Sequence, residues 1–416
     1  MPNITRAATV SGVVAVLLLA AGCGGGSSFD DKAGSDSKQK AGKASLEMLI
    51  ASSGDAETKF VTDTANAWAK KTGNTVKVVV AQDLAQQLSQ GFAGGNPPDV
   101  FYVDASRVAD LAKAGSLDPY ADQVADNNDF YESLRQTFTY DGKQVCGPKD
   151  VSTLALEIRA DSWAKAGLTD ADVPTSWDEL AAVAKKLTTG KQTGLVIGDT
   201  RDRIGAFMVQ NGGWVLNDDS TEVTADTPEN AKALAYVKTQ LAAGTFKYPG
   251  DVDAGWGGEA FGTGKAAMTI EGNWIRGAMK NDYPDVKYSV HELPEGPAGK
   301  GTLLFTQCYG IASASEFKEQ SVSLVEALTS EQAQLAAADA FGVIPSRQSA
   351  KEGYVAKFPD DAPFVAGADY GHGPVNAPGM DSVLADFDSG LQQLKQQAPE
   401  KILGTLQSNA EAALQQ

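Results

Sequence analysis

The alternation of short apolar runs with amphipathic segments that begins near Ser45 constrains this chain more than any other feature. Residues 46–51, 75–80 and 99–103 read as strands, and residues 56–71, 84–92 and 106–114 as the helices that follow them. Strands joined through helices imply a parallel sheet covered on both faces, so the class is α/β. In such sheets ligands collect beyond the carboxyl ends of the strands. The chain puts Ser53 and Asp55 there after the first strand, Gln82 and Asp83 after the second, and Asp104 after the third. Each of these aspartates also suits the N-cap of the next helix.

Residues 145–158 have a different texture. A Gly-Pro turn precedes Lys149 and Asp150, and an apolar run at 153–158 follows, which suits a crossing from one sheet into another. A second series then starts. Ser176-Trp177-Asp178-Glu179 has the form of a capping box opening a helix to Leu187, and residues 194–197 read as a strand. The charged turn 199–203, with Arg201 and Asp202, leads into a helix ending near Asn211, and Thr227-Pro228 opens another to 242. Residues 286–290 form a further strand. The run 303–311 is strand-like but interrupted by Thr306, Gln307 and Cys308; helices at 316–328, 330–340, 380–396 and 399–414 complete the chain. No repeat of solenoid period is present.

Residues 255–274 concentrate candidate binding chemistry. Trp256 sits between glycines, Trp274 follows Gly272 and Asn273, and Glu259 lies between the indoles, with a buried-strand run at 266–270. Rings placed where the backbone turns stand free of a helix or sheet. Aromatic faces beside carboxylates and amides match a ligand that is apolar on its faces and hydroxylated at its edge, such as a sugar ring. Buried packing is the alternative for both indoles.

The first residues read as an address. One positive charge at Arg6, a run at 10–21 too short to span a bilayer, and Leu19-Ala20-Ala21-Gly22-Cys23 resemble the lipobox of bacterial lipoproteins. That resemblance implies a signal peptide at 1–22, lipidation of Cys23, and a body held on the outer face of the cell membrane. Residues 24–43 are nearly all Gly, Ser, Asp, Lys, Gln and Ala; they read as a disordered tether reaching on the order of 25 Å. Cys146 and Cys308 remain, an even number in an oxidising setting, and are expected to pair, two buried thiols being the alternative. The 416 residues, 42% of them hydrophobic, suffice for two domains, and a net charge of -18 leaves no basic stripe for nucleic acid or an anionic membrane surface.

Taken in order, these segments resemble the extracellular solute-binding proteins of ABC importers, in the carbohydrate-binding group built like maltose-binding protein. The likeness rests on the lipobox, Gly147-Pro148-Lys149-Asp150 with Ser152 to Leu156, Pro174 to Leu180, Phe261 to Met268, Glu271-Gly272-Asn273-Trp274, and Phe341-Gly342-Val343-Ile344-Pro345-Ser346. The resemblance implies a two-lobed periplasmic-binding-protein type II fold with a hinge and an interlobe cleft. Residues 44–150 with 305–345 would form the first lobe, and 151–304 with 346–416 the second. It implies a monomer that captures a di- or oligosaccharide by hinge closure and delivers it to the permease, without a cofactor or metal. Carried over by position, the binding set is Ser53, Asp55, Gln82, Asp83, Asp104, Lys149, Asp150, Arg201, Asp202, Trp256, Glu259, Asn273, Trp274, Tyr370 and His372. Where the maltose-binding type has a basic residue beside its first turn, this chain has Ser53-Gly54-Asp55.

Two other classes share some of these features. A glycoside hydrolase also needs aromatic platforms and two carboxylates, here Glu259 with Asp150, but nothing in the sequence fixes their separation. A surface-exposed binding protein for a non-sugar solute, or an adhesin, needs no sugar-sized cleft. Metal chemistry has little to work with: His291 and His372 are the only histidines, and His291-Glu292-Leu293-Pro294-Glu295 lacks the second histidine of a zinc helix. Gly264-Lys265 fails as a phosphate loop, because Ala266 follows it.

Overall fold

The computed structural model describes residues 43–415. The expectations at Cys23, the signal segment and the tether as far as residue 42 lie outside the described residues. Ser45–Ile50 pairs in parallel with Thr75–Val80 on one side and Val100–Asp104 on the other, as the alternating pattern requires. The sheet does not stay parallel. Gln307–Ile311 joins it antiparallel to Val100–Asp104, and Gly147–Pro148 closes the row. Helix Asp55–Thr72 packs on this sheet through Val61, Ala65 and Trp68, and the Trp68 indole donates to Ser323 Oγ at 3.1 Å.

The second sheet has eight strands, and its spine is Asp150–Arg159. That strand pairs with Ile344–Pro345, Thr302–Phe305, Ala266–Gly272 and Tyr288–His291 in turn along its length. Its alternate side chains Leu154, Leu156 and Ile158 enter one large apolar cluster, which the helices 177–187, 228–243, 381–392 and 399–414 cover. The other face carries Thr153, Ala155, Glu157 and Arg159. A separate large cluster fills the first sheet and shares no residue with the second. The two largest apolar clusters, one on each sheet, are the physical content of two lobes, and a smaller one around Val151, Ala155 and Leu304 takes in Tyr131 and Leu134 where the sheets meet.

The chain passes between the sheets at three places that lie side by side. Lys149 N–H donates to Gln307 O at 2.8 Å, Ser346 Oγ donates to Pro148 O at 2.9 Å, and Thr306 Oγ1 donates to Asp150 O at 2.6 Å. Thr306 is the one residue between strands Thr302–Phe305 and Gln307–Ile311. The expected single strand is therefore two, each in its own sheet. The Cys146–Cys308 disulfide, Cα atoms 5.8 Å apart, ties the outgoing and returning chains on the first-sheet side.

The capping box at Ser176 is shifted. Ser176 Oγ does accept from Glu179 N, but the Glu179 carboxylate accepts from Thr175 N and Oγ1 instead of from Ser176. Among the described residues no helix is long and apolar enough to cross a membrane.

Candidate functional site

A cavity of about 470 Å³ opens where strand ends of the two sheets face each other. Asp104 reaches it from the end of Val100–Asp104, Asp150 from the start of the crossing strand, and Thr306 and Gln307 from the break between strands. From the second sheet side come Arg201 and Asp202 in the first turn of helix Arg201–Gln210, Trp214 in the glycine turn behind it, Phe305, and His372. These side chains meet because each lies at a strand or helix end or in the turn beside one, which is where an α/β sheet leaves its polar backbone ends and its loops.

Aromatic groups form one wall. The Trp214 and His372 rings are 4.6 Å apart, and burial holds His372 below the usual histidine pKa, which favours the neutral ring. Phe305 lines the cavity and meets Trp274 edge-on at 5.1 Å. The Arg203 guanidinium lies over both rings, 5.0 Å from Trp274 and 5.7 Å from Phe305. Trp274 is 38% exposed, and its Nε1–H donates to Glu271 Oε2 at 3.0 Å. Its ring lies flat over Gly272, where an added Cβ would sit 2.2 Å from a ring carbon. The glycine is the condition for that pose.

The polar groups are held from behind. Asp104 Oδ1 accepts from Gln307 Nε2 at 2.7 Å. The Arg201 guanidinium and backbone N–H both donate to Asp388. Lys149 stands behind Asp150, in contact with it and 3.0 Å from Glu57 Oε1, with all three side chains largely buried. Burial works against the charged ammonium of Lys149, but the carboxylates of Asp150 and Glu57 outweigh it and push its pKa up. Burial likewise opposes the Glu57 carboxylate, while Lys149 and two hydrogen bonds from Ser53 hold it below the ordinary range. Burial is the largest influence on Asp150 and raises it, against the pull of Lys149.

Of the residues expected to bind, Asp104, Asp150, Arg201, Asp202 and His372 line this cavity, and Trp274 adjoins it through Phe305. The others lie elsewhere. Asp83 caps the helix Leu84–Ala93 by accepting from Gln86 N, and Gln82 beside it is exposed away from the cavity. Asp55 is an exposed first-turn residue, and Ser53 acts at one remove by bonding Glu57. Lys149 is enclosed by its carboxylates. Trp256 is not a free-standing platform: its ring covers Gly258 and packs on the cluster of Phe261 and Ile275. Glu259 accepts from Gly255 N at 2.7 Å at the start of the same short helix. Asn273 is a joint, accepting from Ser152 Oγ at 2.6 Å and donating to Gly342 O at 2.9 Å. Tyr370 donates to Glu292 at 2.8 Å, outside the cavity.

Sequence reasoning passed over Trp214, Phe305, Gln307 and Glu57. Trp214 had a signal like that of Trp256, an indole beside glycines at a helix boundary: Trp214 follows Gly212 and Gly213 after a helix ends, and Trp256 lies between Gly255 and Gly257 where one begins. Glu57, inside an amphipathic helix, carried none.

The sequence model of the bacterial extracellular solute-binding protein family matches residues 63–365. The chain is 24% identical over 352 residues to the diacetylchitobiose binding protein DasA of Streptomyces coelicolor, covering 81% of each. Its fold matches the cyclic alpha-maltosyl-1,6-maltose binding protein of Arthrobacter globiformis with a TM-score of 0.80 at 20% identity, over 90% of this chain and 99% of that one. It also matches the sugar-binding protein MalE of Xanthomonas citri with a TM-score of 0.78 at 18% identity, over 89% and 97%. The two-lobed fold expected from the sequence is the one found, and the chain belongs to the bacterial extracellular solute-binding protein family.

Proposed function

We propose that this protein is the sugar-capturing subunit of an ABC importer, held outside the cell membrane by lipid on Cys23. It closes two lobes, residues 44–150 with 305–345 and 151–304 with 346–416, around a di- or oligosaccharide and passes it as a monomer to the permease. One observation carries this reading: a single cavity joins the Trp214–His372 wall and Phe305 to Asp104, Asp150, Asp202 and Gln307. Ring faces and oxygen-bearing edges are the two halves of sugar recognition, and an unmatched hydroxyl partner in such a site costs about 1–3 kcal/mol. The sugar-binding relatives and their shared fold support it.

The test is calorimetry with a panel of neutral mono-, di- and oligosaccharides, with product analysis of each mixture. Expected is stoichiometric binding of at least one di- or oligosaccharide without cleavage. Trp214→Ala and Phe305→Ala should each weaken it about tenfold or more, whereas Trp256→Ala should change it by less than about threefold. Cleavage products, or full affinity in Trp214→Ala, would overturn the reading.

A further inference from the structure

The basic groups around the cavity are already committed to protein carboxylates. Arg201 lines it but is bonded to Asp388, Lys149 is shared by Glu57 and Asp150, and Arg203 is bonded to Glu271 at 2.6 Å. Arg107, next to the lining residue Ser106, faces Asp381 at 3.5 Å. Asp104 and Asp202 are the least neutralised: the first takes an uncharged amide from Gln307, and the second shares Arg201, 3.9 Å away, with Asp388. With the Arg107–Asp381 pair set aside, six carboxylates on or behind the wall face three cations. Burial lowers the pKa of His372, the histidine in the lining, which favours its neutral ring. A concave, partly water-excluded site focuses such an imbalance.

Building on the sugar-binding reading, we propose that the cavity is a charge filter. It admits neutral and amine-bearing hydroxylated solutes and rejects phosphorylated or carboxylated ones, with Asp104 and Asp202 as the residues that set the selection. Aromatic stacking is indifferent to a substituent at the sugar's edge, so the rejection comes from the carboxylates. No cation in the described lining is left to receive an anionic group without first breaking an ion pair.

Two measurements test this independently of which sugar is bound. The first compares maltotriose and diacetylchitobiose with 6-phosphorylated maltotriose and with chitobiose at low salt. The phosphorylated sugar should bind at least roughly 30-fold more weakly than its neutral parent, with chitobiose at least as tight as diacetylchitobiose. In the Asp104→Asn, Asp202→Asn double variant the phosphate penalty should shrink about tenfold. Equal affinity for the phosphorylated and neutral sugars, or a penalty unchanged in the variant, overturns the filter.

The second needs no ligand. Fluorescence quenching is recorded for the protein and for Trp214→Phe, and the difference reports Trp214 in the cavity wall. At low salt, caesium should quench that component at least about threefold better than iodide, relative to acrylamide as a neutral reference, and the double variant should remove the asymmetry. Iodide quenching as efficient as caesium overturns the proposal. Caesium preference with no sugar bound by any probe would instead uphold the filter and overturn the sugar reading.

Discussion

Glu157 is the side chain whose position is hardest to reconcile with ordinary packing. It lies mid-strand on Asp150–Arg159 and is 0% exposed; its Oε2 accepts from Glu271 N at 3.1 Å, and its Oε1 has no hydrogen-bond partner among the described residues. Burial, and then the neighbouring Glu271 carboxylate, push its pKa well above the ordinary value, with Arg203 pulling the other way. The sign follows. A carboxyl whose folded pKa is raised contributes stability below its unfolded value, near 4.5, and loses it as pH climbs toward the folded one. Glu157→Gln keeps an oxygen for Glu271 N and cannot ionise. Its melting temperature relative to the parent should therefore rise steadily from pH 4.5 to 7.5, by about 1 kcal/mol or more in stability at the upper end. A difference independent of pH would mean that Glu157 is ionised and solvated in the folded protein.

At the scale of elements, the strands that return between the sheets were the hardest to read. The parallel strands announced themselves because each is a β-branched or apolar run bounded by turn residues, and Thr75–Val80 has the expected bounds. The run 303–311 looked like one imperfect strand, because a local pattern cannot say that a chain changes sheets. Its polar interruption is the crossing itself, with Thr306 turned onto Asp150 O. The same limit explains the site. Asp104 and Asp202 were legible as polar residues at element ends, but Trp256 and Trp214 have equivalent local surroundings, and only the packing of helix Gly257–Gly262 decides that the first covers its own backbone. The Cys146–Cys308 bridge spans a separation of 162 residues at this crossing. In the chain-entropy account, removing a link across so long a loop costs about 4 to 5 kcal/mol. Cys146→Ser with Cys308→Ser should lower the unfolding free energy measured in denaturant by that much, and dithiothreitol should lower the parent's toward the same value. A double variant as stable as the parent would show that packing around Gly147, whose N–H donates to Tyr120 Oη at 3.0 Å and which lies against Val325, holds the strands without it.

For the molecule as a whole, two cores joined by three adjacent strands bend most easily where few contacts cross. Away from those strands, a group of polar contacts beside the cavity bridges segments belonging to different cores. Ala109 N–H donates to Asn376 Oδ1 at 2.9 Å, Asn376 Nδ2 donates to Thr137 O at 3.2 Å, Gly379 N–H donates to Asp110 Oδ1 at 3.1 Å, and Arg107 faces Asp381. Val108 lies in the first core, while Val375, Ala377 and Met380 lie in the second, so these bonds hold one lobe against the other beside the cavity. None of Asn376, Asp110 and Gly379 lines the cavity, so altering them leaves its wall intact. The three hydrogen bonds made by Asn376 and Asp110 are worth about 1.5–4.5 kcal/mol together, a factor of roughly 10 to 2,000 in the balance between this arrangement and a more open one. A ligand that touches both lobes binds only the closed arrangement well, so its apparent affinity falls by the fraction of closed molecules lost. Asn376→Ala with Asp110→Ala should thus raise the radius of gyration of the unliganded protein in small-angle scattering and weaken sugar binding by a factor within that range. Saturating sugar should bring the variant's radius back to the parent's. An unchanged radius, or weaker binding that saturation does not accompany with compaction, would place the hinge motion somewhere other than between these two cores.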